Sequence, residues 1–173
     1  MYNDPVQALR AAYRAMAIDT TVTTQLWNDM SGGVVQDKTD LNKFDRIAQG
    51  VFTLSLAEKS ARLYTRYLLR AVYYPPTPDF RGQKALSGKM VSQYVYELLN
   101  KRIDRWFIDD ITRKYIGLQQ RHDEKWWSDH LSRTDRQIRR YKNKIMPVLD
   151  GLHDSLIMDI EPVFIENKII SNP

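Results

Sequence analysis

Cationic side chains concentrate between residues 133 and 144, where four arginines and two lysines stand against one aspartate. The net charge of this segment is +5, which equals the formal net charge of the whole chain, so the remaining residues sum to zero. Like charges held side by side repel one another unless an anion relieves them, and nucleic-acid phosphate is the commonest polyanion. The charge distribution therefore predicts that this segment forms a surface that binds nucleic acid.

The residues that lead into the segment have the pattern of a helix-turn-helix, in which one helix braces a second helix that lies in the DNA major groove. The packing needs a small residue in the first helix, an apolar residue three positions later and a turn-compatible residue next. Ser128, Leu131 and Ser132 occupy these positions. Arg133 departs from the pattern because an apolar residue is usual there, although an arginine stem can cover apolar surface.

The motif is expected to pack one face inward and to present the other to double-stranded DNA. The expected inward side chains are Trp127, Ile138 and Tyr141. On the outward face, arginine matches the two acceptors of guanine, and glutamine or asparagine matches adenine. The outward residues of these types are Arg136, Gln137, Arg140 and Asn143.

The other polar residues of the segment are interpreted as contacts to phosphate, which position a protein on DNA without specifying sequence. These cations are Arg133, Arg139, Lys142 and Lys144. Thr134 is expected to cap the second helix, so that the amide end of that helix points at a phosphate. The alternative interpretation is a solvated charged helix within a bundle.

A second row of arginines follows Ser55 and Glu58, which we interpret as a capping box at the start of a helix. Arg62, Arg66 and Arg70 are spaced four residues apart and would form one stripe on that helix. Two interpretations of this stripe stay open, a track for phosphates and a row of solvent-facing cations.

The residues give little support to enzymatic chemistry. The chain has no cysteine, which excludes a thiolate nucleophile and a cysteine-type zinc site. Asp150, His153 and Asp154 share one helix face, where such trios are usually solvated polar side chains and not a metal site. No glycine-rich phosphate loop is present, and no nucleophile has a recognisable context. We expect a protein that is not an enzyme and that needs no cofactor or metal.

Apolar residues recur at helical spacing along most of the chain, and no strand-like alternation is visible. The sequence predicts an all-α fold, a compact multi-helix bundle that contains a helix-turn-helix near the C-terminal third. We divide it into an N-terminal helical arm (1–33), a helical body (34–118) and a part that holds the helix-turn-helix and the C-terminal helix (119–173), together one compact domain. Gly32 and Gly33 are expected to form a hinge.

Caps and breakers predict where the helices begin and end. Starts are expected at Pro5, at Thr39 or Asp40, at Ser87, at Asp123 and at Pro147, with a further short helix over 24–30. The helix after Ser87 is expected to bend near Asp109 and Asp110 and to close at Gly117. Pro162 is expected to end or kink the last helix.

The N-terminal residues lack a basic region followed by an apolar block, so no signal peptide is expected. No apolar run approaches the roughly 20 residues needed to cross a bilayer. These patterns predict a soluble, cytoplasmic protein without a membrane partner.

Three stretches between Phe44 and Ile170 carry a likeness to a known class of proteins. They are a helix opening at residues 45–49, the run from Tyr64 to Tyr73 before a proline-rich turn, and the run from Asp123 to Leu131 before the tight turn. The chain resembles phage- and prophage-encoded helical regulators. It is similar in plan to late-gene antitermination proteins of the Q type, which have a helical body and a helix-turn-helix that reads a DNA site.

The resemblance implies a role in phage late transcription through DNA and host RNA polymerase, and it gives the base-reading role to Arg136, Gln137 and Arg140. The zinc-binding cysteines of some members are missing here. Two other functions stay open. One is DNA packaging as a small terminase-like protein, which would form a homo-oligomer. The other is a helical interaction module that inhibits a host factor.

Overall fold

The computed structural model describes residues 2–17, 43–74 and 78–171. These ranges contain seven helices and no strand apart from one isolated bridge between Tyr2 and Ile170. The helices are α1 (Pro5–Ala17), α2 (Lys43–Ser60), α3 (Leu63–Tyr73), α4 (Pro78–Leu98), α5 (Arg105–Tyr115), α6 (Glu124–His130) and α7 (Asp135–Glu166). The predicted all-α class is confirmed.

The buried apolar side chains form two clusters, and α7 contributes to both. In the first cluster, Leu9 of α1 and Leu69 of α3 pack with Phe164 of α7. In the second, Val95 of α4 and Phe107 of α5 pack with side chains from the N-terminal half of α7. A helix of 32 residues is about 48 Å long, so it reaches from one cluster to the other. The cationic segment is therefore the beginning of the helix that organises the core.

The predicted start of the last helix at Pro147 is wrong, because α7 continues through Pro147 and Pro162 to Glu166. A proline inside a helix removes one N–H and leaves the carbonyl four residues earlier without its partner. Both prolines are exposed, as are Asn143 and Met158, the residues that carry those two carbonyls. Water can satisfy a carbonyl on the solvent side, and burial of the opposite face keeps the helix intact.

Two predicted helix caps are also wrong. Ser55 lies inside α2, where Leu54 and Ala57 are buried, so the helix continues to Ser60 and no capping box forms. Ser87 lies inside α4 and is buried. That helix begins at Pro78, where the missing N–H of proline costs nothing.

The break between α4 and α5 lies several residues before the predicted bend at Asp109 and Asp110. Asn100 and Lys101 adopt left-handed backbone angles, with φ of 52° and 57°. Asp104 then caps α5 by accepting the N–H groups of the second and third helical residues at 2.8 and 3.0 Å. The start at Pro5 and the closure at Gly117, with φ of 74°, are confirmed.

Several predictions fall on residues outside the described ranges. These are the short helix over 24–30, the hinge at Gly32 and Gly33, and the cap at Thr39 or Asp40. The division into arm, body and C-terminal part stays a prediction. Of the arm, residues 5–17 form α1, which packs against α2 and α7.

Lys84 of α4 is a buried cation that closes the end of α3. Its Nζ donates to the carbonyl oxygens of Val72 at 3.3 Å and Tyr74 at 3.5 Å. Carbonyls at a helix C-terminus have no partner within the helix, so the ammonium group satisfies two of them. Burial lowers the pKa of Lys84 from 10.5 to about 8.

This lysine gives the protein an unusual dependence of stability on pH. Between pH 8 and 10.5 the unfolded chain holds the Lys84 proton more tightly than the folded chain, so the free energy of unfolding rises with pH. We expect a gain of about 1–2 kcal/mol in urea denaturation between pH 8 and 9.5, and no gain in Lys84→Met. Burial raises the pKa of Tyr13 and Tyr73 to about 12 and also raises that of Tyr74 and Tyr115, so these tyrosines act in the opposite sense as the pH approaches 10. Wild-type stability that falls from pH 8 to 9.5 would contradict this assignment.

Candidate nucleic-acid interface

Residues 123–144, which were predicted to form a helix-turn-helix, fold as two helices joined by a short turn, and we call them the corner. Its first helix, α6, begins after Asp123, whose carboxylate accepts the N–H of Trp126 at 2.7 Å. This confirms the predicted cap. Its turn is held by Ser128, whose hydroxyl donates to the carbonyl of Arg133 and whose carbonyl accepts the Arg133 N–H at 2.9 Å.

The turn itself depends on Ser132, which has a left-handed φ of 49°. A residue with a Cβ pays about 1 kcal/mol or more in this region, whereas glycine does not. We expect Ser132→Gly to raise the free energy of unfolding by about 0.5–1 kcal/mol in urea denaturation. Ser155→Gly is the matched control, since Ser155 is helical and glycine there should lower stability by a similar amount. A loss of stability in both variants would show that the turn does not need this conformation.

The second helix begins with a capping box. The Thr134 hydroxyl accepts the N–H of Gln137 at 3.3 Å, and the side-chain oxygen of Gln137 accepts the N–H of Thr134 at 3.1 Å. The predicted cap at Thr134 is confirmed. A bidentate pair with adenine would use the amide oxygen of Gln137. In the capping box this oxygen accepts the N–H of Thr134, so the predicted contact of Gln137 with adenine would require that hydrogen bond to open.

The inward face of the corner is packed as the motif requires. Trp127 and Ile138 are buried, and Tyr141 is half-buried against the second cluster. The ring of Phe107 meets Trp127 edge-on at 5.2 Å and Tyr141 edge-on at 6.4 Å. These contacts fix both helices of the corner to α5.

A buried carboxylate, Asp110 of α5, ties the start of the corner to the body. It accepts three hydrogen bonds, from the backbone N–H of Arg121 at 2.6 Å, from that of His122 at 3.1 Å and from the indole N–H of Trp127 at 2.8 Å. The sequence indicated only a bend near this residue. The signal in the sequence was the position of Asp110 within a helix between the apolar residues Ile108 and Ile111. An acidic residue at such a position is buried together with its hydrogen-bond donors.

Four cations of residues 133–144 project from the corner without an ion pair among the described residues. They are Arg133, Arg136, Arg140 and Lys144, and all are exposed. The last three repeat every fourth residue and therefore lie on one face of α7. They extend about 12 Å along the helix axis, which is close to the width of the DNA major groove.

A shallow groove lies between these side chains. It has a volume of about 380 Å³ and is lined by Gln137, Arg140, Tyr141, Asn143 and Lys144. The guanidinium and ammonium groups supply donors only, whereas Asn143 supplies a donor and an acceptor. This set can bind phosphate oxygens and the acceptor edge of guanine.

Arg139 and Lys142 have an acidic neighbour within the corner, and their predicted phosphate contacts stay a prediction. Their side chains contact the carboxylate of Glu124 in the first turn of α6, at 3.6 and 3.3 Å. They hold the two helices of the corner together, and Glu124 offsets part of their charge. The sequence could not show this pairing, because the partners lie 15 and 18 positions apart.

The second arginine stripe is not a row of free cations. Arg62 pairs with Asp159 of α7 at 2.6 Å, and Arg70 pairs with Glu58 of α2 at 2.6 Å. Arg66 donates to the carbonyl of Ala61 at 3.0 Å. These contacts fasten α3 to its neighbours and offset part of the charge of the stripe, whose role as a phosphate track stays a prediction.

The histidines have aromatic partners. His122 and His130 stack on opposite sides of Trp126, with ring centroids at 3.6 and 4.4 Å. His153 shares a hydrogen bond of 2.7 Å with the hydroxyl of Tyr73, and burial lowers its pKa.

The trio at Asp150, His153 and Asp154 is not arranged as a metal site. The carboxylate of Asp150 accepts the hydroxyl of Tyr115 at 3.1 Å, and the imidazole of His153 is engaged by Tyr73. In the described ranges, no three histidine, aspartate or glutamate side chains are grouped so that they could hold a metal ion.

Comparisons with family models, with curated proteins and with solved structures return no match to this chain. None of the described helices is both long and apolar enough to cross a membrane.

Proposed function

We propose that the protein is a transcription regulator that binds double-stranded DNA through the corner. The observation that carries this proposal is the division of the corner into two faces. Trp127 and Ile138 anchor the inner face in the core, and Arg136, Arg140 and Lys144 stand exposed on the outer face without carboxylate partners among the described residues. A surface of this kind gains free energy when it displaces the counterions of a polyanion.

The exposed cations take two roles in this proposal. Arg136 and Arg140 lie one turn apart and reach guanine N7 and O6 in the major groove. Arg133 and Lys144 flank them at the two ends and contact the phosphates of the groove walls. Asn143, beside the groove on α7, is the remaining candidate for a contact with adenine.

The resemblance to late-gene antitermination proteins favours a role in phage late transcription, together with host RNA polymerase. The continuity of α7 supports a regulator of this kind, because a base-reading helix that extends into the core holds the DNA and the body in a fixed relation. DNA packaging remains the second candidate and is distinguished by ring-sized oligomers in light scattering.

The experiment is a fluorescence anisotropy titration of labelled duplex DNA between about 50 and 200 mM salt. The phosphate contacts of Arg133 and Lys144 should give a slope of log affinity against log salt of about −2 or steeper. Polyglutamate serves as the competitor, because it is negatively charged like DNA and has no bases. No binding to any duplex at about 50 mM salt, together with capture of polyglutamate, would reject DNA in favour of an acidic protein partner.

A further inference from the structure

We infer that the loop between α4 and α5 forms a second contact with the DNA backbone, through Arg102, Arg105 and Trp106. The inference rests on the proposed function and deepens it. The corner would then contact the groove, and this loop would bind the sugar-phosphate chain beside it.

The packing of Phe107 places the loop next to the corner. Phe107 follows Trp106 in the chain, and its ring touches the second helix of the corner at Tyr141 and the first helix at Trp127. Tyr141 follows Arg140 directly on α7, and it lines the same groove. Phe107 therefore anchors the N-terminal end of α5, with the exposed Trp106 beside it in the chain, to both helices of the corner.

The loop is held in shape by its own hydrogen bonds. The N–H groups of Asn100 and Lys101 donate to the carbonyls of Glu97 and Tyr96 at 2.9 and 3.0 Å. Ile103 is buried and fixes the middle of the loop to the second cluster. The left-handed conformations at Asn100 and Lys101 are strained and persist only because these contacts determine them. A fixed loop loses little entropy when it binds.

The side chains that leave this loop suit a sugar-phosphate chain. Trp106 is 71% exposed, the same fraction as Met158 and the highest among the exposed large hydrophobic side chains of the described ranges. Arg102 and Arg105 are exposed and have no ion pair in the part of the chain that the structure describes. An indole offers an apolar face to a deoxyribose and an N–H to a phosphate oxygen, and arginine binds phosphate with two parallel hydrogen bonds.

The neighbouring acidic residues do not cancel this charge. Asp104 uses its carboxylate to cap α5, and Glu97 pairs with Lys101 at 3.4 Å. Two unpaired cations therefore lie beside an exposed tryptophan at the end of α5 that packs against the corner. A polyanion with charges along its length can meet both this loop and the corner, which favours DNA over a partner with a single acidic patch.

The test compares Arg102→Ala/Arg105→Ala with the wild type in the same salt titration. We expect the affinity for every duplex to fall by about the same factor, roughly 10-fold at 100 mM salt, and the slope to decrease by about 2. Sequence preference should not change, because the loop contacts phosphates only. Lys59→Ala/Lys89→Ala removes the same charge from exposed positions on α2 and α4 and should leave both quantities unchanged.

Trp106 is tested separately. We expect Trp106→Ala to weaken binding by about 5-fold and Trp106→Phe to retain most of the affinity, because phenylalanine keeps the apolar face. Both variants should unfold at the same urea concentration as the wild type, since the side chain is exposed.

The outcomes separate this inference from the function on which it rests. Wild-type protein that binds duplex DNA, together with a loop variant of unchanged slope and affinity, would overturn the inference and leave the proposed function standing. Wild-type protein that binds no duplex would overturn both. Polyglutamate capture that the loop variant loses, with duplex binding intact, would assign the loop to an acidic protein and overturn the inference alone.

Discussion

Replacement of Arg136 and Arg140 together by alanine is expected to weaken binding to a preferred duplex by at least about 30-fold. Each bidentate contact between arginine and guanine contributes about 1–3 kcal/mol of discrimination, and two lost contacts therefore cost 2 kcal/mol or more. The salt slope should change less than the affinity, because the phosphate contacts of Arg133 and Lys144 remain. The preference of the protein for its own site over random DNA should shrink.

The structure supplies two controls for this variant. Arg62→Ala removes an exposed guanidinium whose partner is Asp159, so it should change stability and not DNA affinity. Lys59→Ala/Lys89→Ala also removes two positive charges, so it is the control for the change in net charge. Arg136 and Arg140 are both exposed, so the double variant should unfold like the wild type. DNA affinity within 3-fold of the wild type would remove the outer face of α7 from the interface.

Asp110→Ala is expected to lower the free energy of unfolding by about 3–5 kcal/mol. The substitution leaves two backbone N–H groups and the buried indole N–H of Trp127 without an acceptor, and each unsatisfied donor costs about 1–3 kcal/mol. Asp110→Asn keeps one acceptor oxygen and should lose roughly half as much. Urea denaturation measures both.

The adjacent aspartate provides the control. Asp109 contacts Arg121 at 3.5 Å in a half-exposed pair, so Asp109→Asn should change stability by less than about 1 kcal/mol. The loss of DNA affinity should follow the same order, largest for Asp110→Ala and smallest for Asp109→Asn, because Asp110 holds the linker and α6 in place. A value for Asp110→Ala within 1 kcal/mol of the wild type would show that these three hydrogen bonds are not needed.

The corner could be predicted from sequence because its signals are local. Caps at Asp123 and Thr134, the turn at Ser132 and the inward residues Trp127 and Ile138 all lie within about 20 positions, and each follows from the preference of one residue for one conformation. Helical periodicity likewise predicted the all-α class. These predictions need no knowledge of which helices pack together.

The errors concern places where tertiary contacts decide the outcome. Pro147 ends an isolated helix, but here the buried face of α7 keeps the helix continuous through it. Ser55 has the sequence of a helix cap, but the burial of its neighbours Leu54 and Ala57 keeps α2 continuous through it. The sequence also gave no indication that Glu124 would face Lys142, or that Asp159 would meet Arg62, because pairs distant in the chain depend on the fold.

Two features of the candidate interface were therefore missed. The hydrogen bonds accepted by Asp110 depend on the linker before α6, because their first donor, the N–H of Arg121, lies 11 residues further along the chain. The loop at Arg102 and Trp106 becomes relevant only when Phe107 is seen to contact the corner. In both cases the residue types were visible in the sequence, and their neighbours were not.

The central claim is that the outer face of α7 lies in the major groove of DNA, and guanine methylation protection tests it most directly. A duplex selected by the wild-type protein from a random pool is treated with dimethyl sulfate in the presence of each variant. We expect the wild type to protect the N7 of one or two guanines, and Arg136→Ala/Arg140→Ala to leave them reactive while Lys59→Ala/Lys89→Ala still protects them. Failure to enrich any duplex, or protection that persists in the Arg136 and Arg140 variant, would contradict the claim.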